Sequence, residues 1–121
     1  MPRILHVISD PDISAIVTLA LHGADFDVET TTTAAAALAA VQANCPDAVF
    51  VHEAAVPGSA AAFASQLRQI AGDTRLPICI LGSRTEIEQE ARAAGCEFLP
   101  NPLSLVALRA AARAMVMSLL A

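Results

Sequence analysis

The chain has 121 residues, 55% of them hydrophobic and 16% charged. That makes one domain with enough apolar side chains for a core, and it excludes a disordered chain. Seven basic against twelve acidic residues leave a net charge of −5, which argues against a direct grip on phosphate backbones.

The first apolar run, Arg3 to Ile8, is nearly continuous, as a strand covered on both faces requires. Ser9-Asp10-Pro11 then carries a cap and a first-turn proline, so a helix is expected from Pro11 to His22, stopping at Gly23. The stretch 25–31 alternates polar with apolar residues, which suits a half-exposed or edge strand. Thr32 or Thr33 caps a helix from Ala34 to Asn44. A third strand, Ala48 to His52, follows Pro46-Asp47. The loop Glu53 to Gly58 leads to Ser59 and a helix through Phe63, Leu67 and Ile70 that ends at Gly72. The fourth strand is Pro77 to Leu81, and an acidic helix runs from Thr85 to Ala94, ending at Gly95. A short fifth strand, Glu97 to Leu99, meets Pro100-Asn101-Pro102, and Ser104 opens a helix to about Leu120.

Five strand–helix units in series predict a parallel sheet with helices on both faces. In this length the plan is flavodoxin-like and doubly wound: one α/β domain over residues 1–121, strand order 2-1-3-4-5. Sites in such sheets lie at the carboxyl ends of the strands, so the informative residues are Ile8, Ser9, Asp10, His52, Glu53, Gly82, Ser83, Pro100 and Asn101. The first turn has no glycine, which argues against a dinucleotide site. All seven basic residues are arginine, so no lysine exists for a Schiff base or a phosphate-binding loop.

Cys45, Cys79 and Cys96 are odd in number and form no CxxC pair; they read as reduced cysteines of a cytoplasmic protein. No signal peptide and no membrane-length apolar run is present in the sequence. No nucleophile, base and orienting group converge, so an enzyme is not expected.

The order of features resembles the receiver domain of two-component response regulators, CheY-like in fold, over Arg3 to about Met117. The carriers are the Ile-Leu-x-Val opening strand with Asp10-Pro11, Pro46-Asp47, Val56-Pro57-Gly58, Leu81 to Ser83, Ala94-Gly95 with Phe98, and Asn101-Pro102. Receivers accept a phosphoryl group on an Asp at the end of the third strand. An acid pair after the first strand holds Mg²⁺, and a Ser/Thr and a Lys contact the phosphoryl group. Fixed donors and a hard cation offset the developing charge.

This sequence departs at nearly every such position. The acid pair falls on Ile8 and Ser9, leaving only the neighbouring Asp10. The phosphoacceptor position falls on His52 or Glu53, depending on the anchor used. Gly82 takes the Ser/Thr position, with Ser83 beside it. Asn101 takes the Lys position, and Phe98 the aromatic switch position. The resemblance therefore implies a degenerate, or pseudo-, receiver without bound Mg²⁺, acting through protein contacts. A Met1 start suggests the N-terminal regulatory domain of a larger regulator.

Individual residues carry more than one reading. Asp10 is a metal ligand or an N-cap. Glu53 is a built-in mimic of the phosphorylated state or a solvated acid. His6 and His52 bind metal, switch with pH, or pack as neutral rings. The terminal helix offers Leu105, Leu108, Ala112, Met115, Val116 and Leu119 as an apolar face, with Val106, Met117 and Leu120 beyond it. The expected interaction face is Glu86, Glu90, Phe98, Arg109, Arg113 and Val116, through which a partner or a second copy would dock on the last two helices and fifth strand. Two alternatives stay open. One is a phosphate-accepting switch using Asp10, Glu53 or His52, Ser83 and Asn101. The other is a small-molecule or metal sensor in the vacated pocket, with Gly82 leaving space and His52 and Asp10 lining it.

Overall fold

A computed structural model of the chain describes residues 2–22, 26–100 and 104–118. Eleven elements follow in order: β1 (Arg3–Val7), α1 (Pro11–His22), β2 (Asp27–Thr31), α2 (Ala34–Ala43), β3 (Ala48–His52), a 3-10 turn (Glu53–Ala55), α3 (Ala60–Ala71), β4 (Ile78–Gly82), α4 (Thr85–Ala93), β5 (Glu97–Pro100) and α5 (Leu105–Ser118). The five strands form one parallel sheet in the order β2-β1-β3-β4-β5. This is the expected flavodoxin-like plan, with the alternating strand at an edge.

Strand alternation divides the interior. Leu5, Val7, Val49, Val51, Ile78 and Ile80 point to the face covered by α2, α3 and α4. Ile4, Ile8, Phe50, Cys79 and Leu81 point to the face covered by α1 and α5, where Val17, Leu21, Leu108, Ala112 and Met115 meet them. β3 and β4 are buried along their whole length. That explains their unbroken apolar sequence, because a central strand has no solvent face. A fully buried side chain such as Phe50 contributes on the order of 1.5–3 kcal/mol by removing its surface from water.

Local chemistry sets the ends. Thr33 caps α2 by accepting from the Ala36 N–H, which decides between the two threonines. Ser59 caps α3 through the Ala62 N–H. Gly72 ends α3 at φ 67°, a left-handed conformation in which a side chain would be strained. The boundaries differ from expectation by a residue or two. β4 starts at Ile78 and runs on through Gly82; β5 runs on through Pro100; β2 starts at Asp27. The loop after β3 begins with a 3-10 turn. The expected stops at Gly23 and Leu120 lie outside the described residues.

Arg68 joins the two halves of the α2–α4 layer. From α3 its Nε donates to the Leu76 carbonyl at 3.0 Å, Nη1 to Ala94 O at 2.7 Å and Nη2 to Gly95 O at 3.0 Å. The last two carbonyls lie at the C-terminus of α4, where helix geometry leaves them without partners.

Candidate functional site

The carboxyl ends of β1, β3 and β4 meet on one edge of the sheet. Ile8 follows β1 and is fully buried, its N–H donating to Thr31 O at 3.0 Å. Ser9 and Asp10 are exposed. Asp10 Oδ1 accepts from the N–H of Asp12 at 2.9 Å and of Ile13 at 3.4 Å. Its carboxylate therefore caps α1, beside a proline preset for a first helical turn.

Glu53 leaves the end of β3 on the 3-10 turn. Its Oε1 accepts from both the N–H and the hydroxyl of Ser83, each at 3.3 Å. Its Oε2 is buried and has no hydrogen-bond partner among the described residues. The carboxyl group lies over Gly82: a Cβ built there would stand 3.2 Å from Glu53 Cδ, from Oε2 and from Phe98 Cε1. Glycine is thus what lets the carboxylate cross from β3 to β4. Of the two candidates after β3, Glu53 is the one that meets Ser83. His52 is buried, with Nδ1 unpartnered among the described residues. The space expected to be vacant at Gly82 is filled by the Glu53 carboxyl.

Gly82→Val tests this packing. Added methyl groups at a 3.2 Å approach overpack the site, with an expected cost of about 1–3 kcal/mol and loss of the Glu53–Ser83 contact. Urea unfolding with amide shifts of Ser83 reads both; an unshifted Ser83 amide and unchanged stability would contradict the geometry.

Mg²⁺ asks for near-octahedral oxygen ligands, carboxylates foremost. Here Ile8 presents an alkyl group, Asp10 is committed to α1, and one oxygen of Glu53 is held by Ser83. No group of three His, Cys, Asp or Glu among the described residues is placed to hold a metal ion. His6 and His52 do not pair. His6 Nε2 lies 3.2 Å from Thr18 Oγ1 and 3.0 Å from Thr30 Oγ1, and burial pushes its pKa down to about 4.

The interaction-face residues divide. Glu86, Glu90 and Arg113 are exposed. Phe98 is buried and stands behind the surface; Val116 is half-buried and packs in part against the core. Arg109 Nε donates to Ala20 O at 2.9 Å, which turns it toward α1 and away from the acids of α4. The ion pairs among the described residues are Arg3–Glu29 at 2.7 Å and Arg92–Glu88 at 3.2 Å. Asn101 lies outside the described residues. Sequence reasoning did not find a cavity of about 650 Å³ beside α1, lined by Ile8, Ser9, Pro11, Leu19, His22 and Thr32. Nor did it find the reach of Glu53 to Ser83, whose only sequence signal is a serine directly after the strand-end glycine.

Sheet order and helix placement together match the receiver fold of response regulators. Among solved structures, CheY4, a chemotaxis response regulator of Vibrio cholerae, matches with a TM-score of 0.85 and 24% identity, over 95% of this chain and 98% of that chain. A two-component response regulator from Clostridium difficile matches over 100% of both chains, with a TM-score of 0.86 and 18% identity. NtrX from Brucella abortus matches with a TM-score of 0.83 and 22% identity, over 97% of this chain but 28% of that one. No family model matches the sequence, and no curated protein does. No helix among the described residues is long and apolar enough to cross a membrane.

Proposed function

We propose that this chain is a signal-transduction module that keeps the receiver scaffold, has given up phosphoryl transfer, and acts by contacts with proteins. The observation that carries the reading is the Glu53 carboxylate held on Ser83. A fixed acid occupies the place where the receiver resemblance puts a transient acyl phosphate, and it already engages the residue that follows β4. With an alkyl side chain at Ile8 and no lysine in the chain, neither a Mg²⁺ site nor a cation for the phosphoryl group can be assembled in the usual way. The module is then not an enzyme and needs no cofactor. We place it in the cytoplasm, with neither membrane nor nucleic acid as partner, as the regulatory domain of a larger regulator. NtrX, in which the matching segment is 28% of the chain, is a structural precedent for such an arrangement. Charged side chains dominate the exposed surface of α4, which suits polar docking of a partner protein there.

The test is an amide NMR titration with Mg²⁺ and then beryllofluoride. Chain-wide shifts without saturation at Asp10, Glu53 and Ser83 are expected. Saturable shifts at those three amides would mean that the pocket still binds a cation and an acyl-phosphate analogue, and the reading would fall.

A further inference from the structure

Six large hydrophobic side chains among the described residues are exposed: Ile16, Leu19, Ile70, Leu105, Val106 and Met117. Five of them lie on α1 and α5, which pack side by side on one face of the sheet, joined by the Arg109–Ala20 hydrogen bond. Leu19, Val106 and Met117 are 63%, 75% and 66% exposed, and all three lie on the two helices that cover one face of the sheet. α4 and β5 contribute no side chain to that set. The outward side of α4 carries Glu86, Gln89, Glu90 and Arg92, with Arg84 exposed just before it.

Charge says what covers the apolar surface. Among the described residues of α1 the side chains of formal charge are acidic, Asp12 on the helix and Asp10 at its cap; those of α5 are Arg109 and Arg113, with no acid. Asp12 and Arg113 are exposed and make no ion pair among the described residues. One surface thus carries both halves of a complementary pair, which is the requirement for an isologous two-fold contact.

The spacing closes the argument. Asp12 and Leu19 lie two helical turns apart on one side of α1, and Val106 and Arg113 lie two turns apart on one side of α5. An antiparallel crossing of α1 with α5 of a second copy that sets Asp12 on Arg113 also sets Leu19 on Val106. The two-fold axis repeats both contacts. We infer that the α1–α5 surface is a self-association face whose occupant is α5–α1 of a second copy of this chain. This rests on the reading of the chain as a protein-contact module and moves the expected self-contact from α4 and β5 to α1.

Light scattering after size exclusion and sedimentation equilibrium test it on the whole chain. A reversible dimer is expected. Leu19→Glu and Val106→Glu should each weaken it at least tenfold, with circular dichroism confirming the fold. Asp12→Arg and Arg113→Asp should each weaken it, and the two together should restore it. Glu86→Ala with Glu90→Ala should leave it unchanged. A dimer broken by the α4 pair but not by the α1–α5 variants would overturn this face and keep the contact-module reading. A failed charge-swap rescue would overturn the register. A monomer at every concentration would overturn self-association, while the Mg²⁺ and beryllofluoride titration would still decide the pocket.

Discussion

Acidification from pH 7 toward pH 4 is expected to cost this protein roughly 3 kcal/mol through His6 alone. His6 sits on β1, next to its last residue, with no exposed surface. Its Nε2 is shared by the hydroxyls of Thr18 and Thr30, and its Nδ1 has no partner among the described residues. A second ring proton would need an acceptor that the packing does not supply, and the charge would lose its hydration. Hence the folded pKa falls from 6.5 to about 4, with desolvation as the cause.

The sign follows from which state binds the proton first. Above pH 6.5 both states hold a neutral ring and the residue contributes no pH dependence. Between 6.5 and about 4 the unfolded chain protonates and the folded one does not, so stability falls as pH falls. Below about 4 both are charged and the loss levels off. Carboxylates titrate in the lower part of this window, so the comparison is with His6→Gln. Urea unfolding at pH 7, 6, 5 and 4 should give curves that converge or cross, with the wild type losing roughly 3 kcal/mol more than the variant. Parallel curves would show that His6 is hydrated or paired in the folded state.

The second large effect is at Arg68. Its guanidinium closes three carbonyls, on the approach to β4 and at the end of α4, from a position on α3. Arginine suits this because its fork offers several donors in fixed directions, and its charge faces the negative end of α4. Arg68→Met keeps the stem and removes every donor. Hydrogen bonds from charged donors are worth about 1.5–3 kcal/mol each and do not add in full, so a loss of about 3 kcal/mol is expected. Arg68→Lys should recover under half of it, since one ammonium cannot span three carbonyls set by a fork. A cost below about 1 kcal/mol for the methionine variant would mean that water replaces the guanidinium freely.

The contrast between β1 and β2 shows why a central and an edge strand were legible in the sequence, while the full order came from the plan of five strand–helix units. A continuous apolar run marks a central strand and an alternating one an edge, and the sheet follows that rule. Caps were legible to within a residue, because Asp10, Thr33, Ser59 and Gly72 act on neighbours in sequence; the structure chose Thr33 over Thr32. Contacts made by long side chains across the fold were not. Glu53 reaches a serine 30 residues away, and Arg68 reaches carbonyls 8, 26 and 27 residues away. Periodicity says nothing of such partners. Phe98 was placed on the surface for another reason: a strand of four residues has too little alternation to show its inner side.

The margins of the sheet bear on the fate of the chain at high concentration. At one margin β2 carries Asp27, Glu29 and two threonines; at the other β5 is four residues long and closes on a proline that has no N–H to offer. A strand from a neighbouring molecule meets acidic repulsion on one side and a short, donor-poor ladder on the other. Fibril growth by strand addition therefore has no good template at either margin of the sheet.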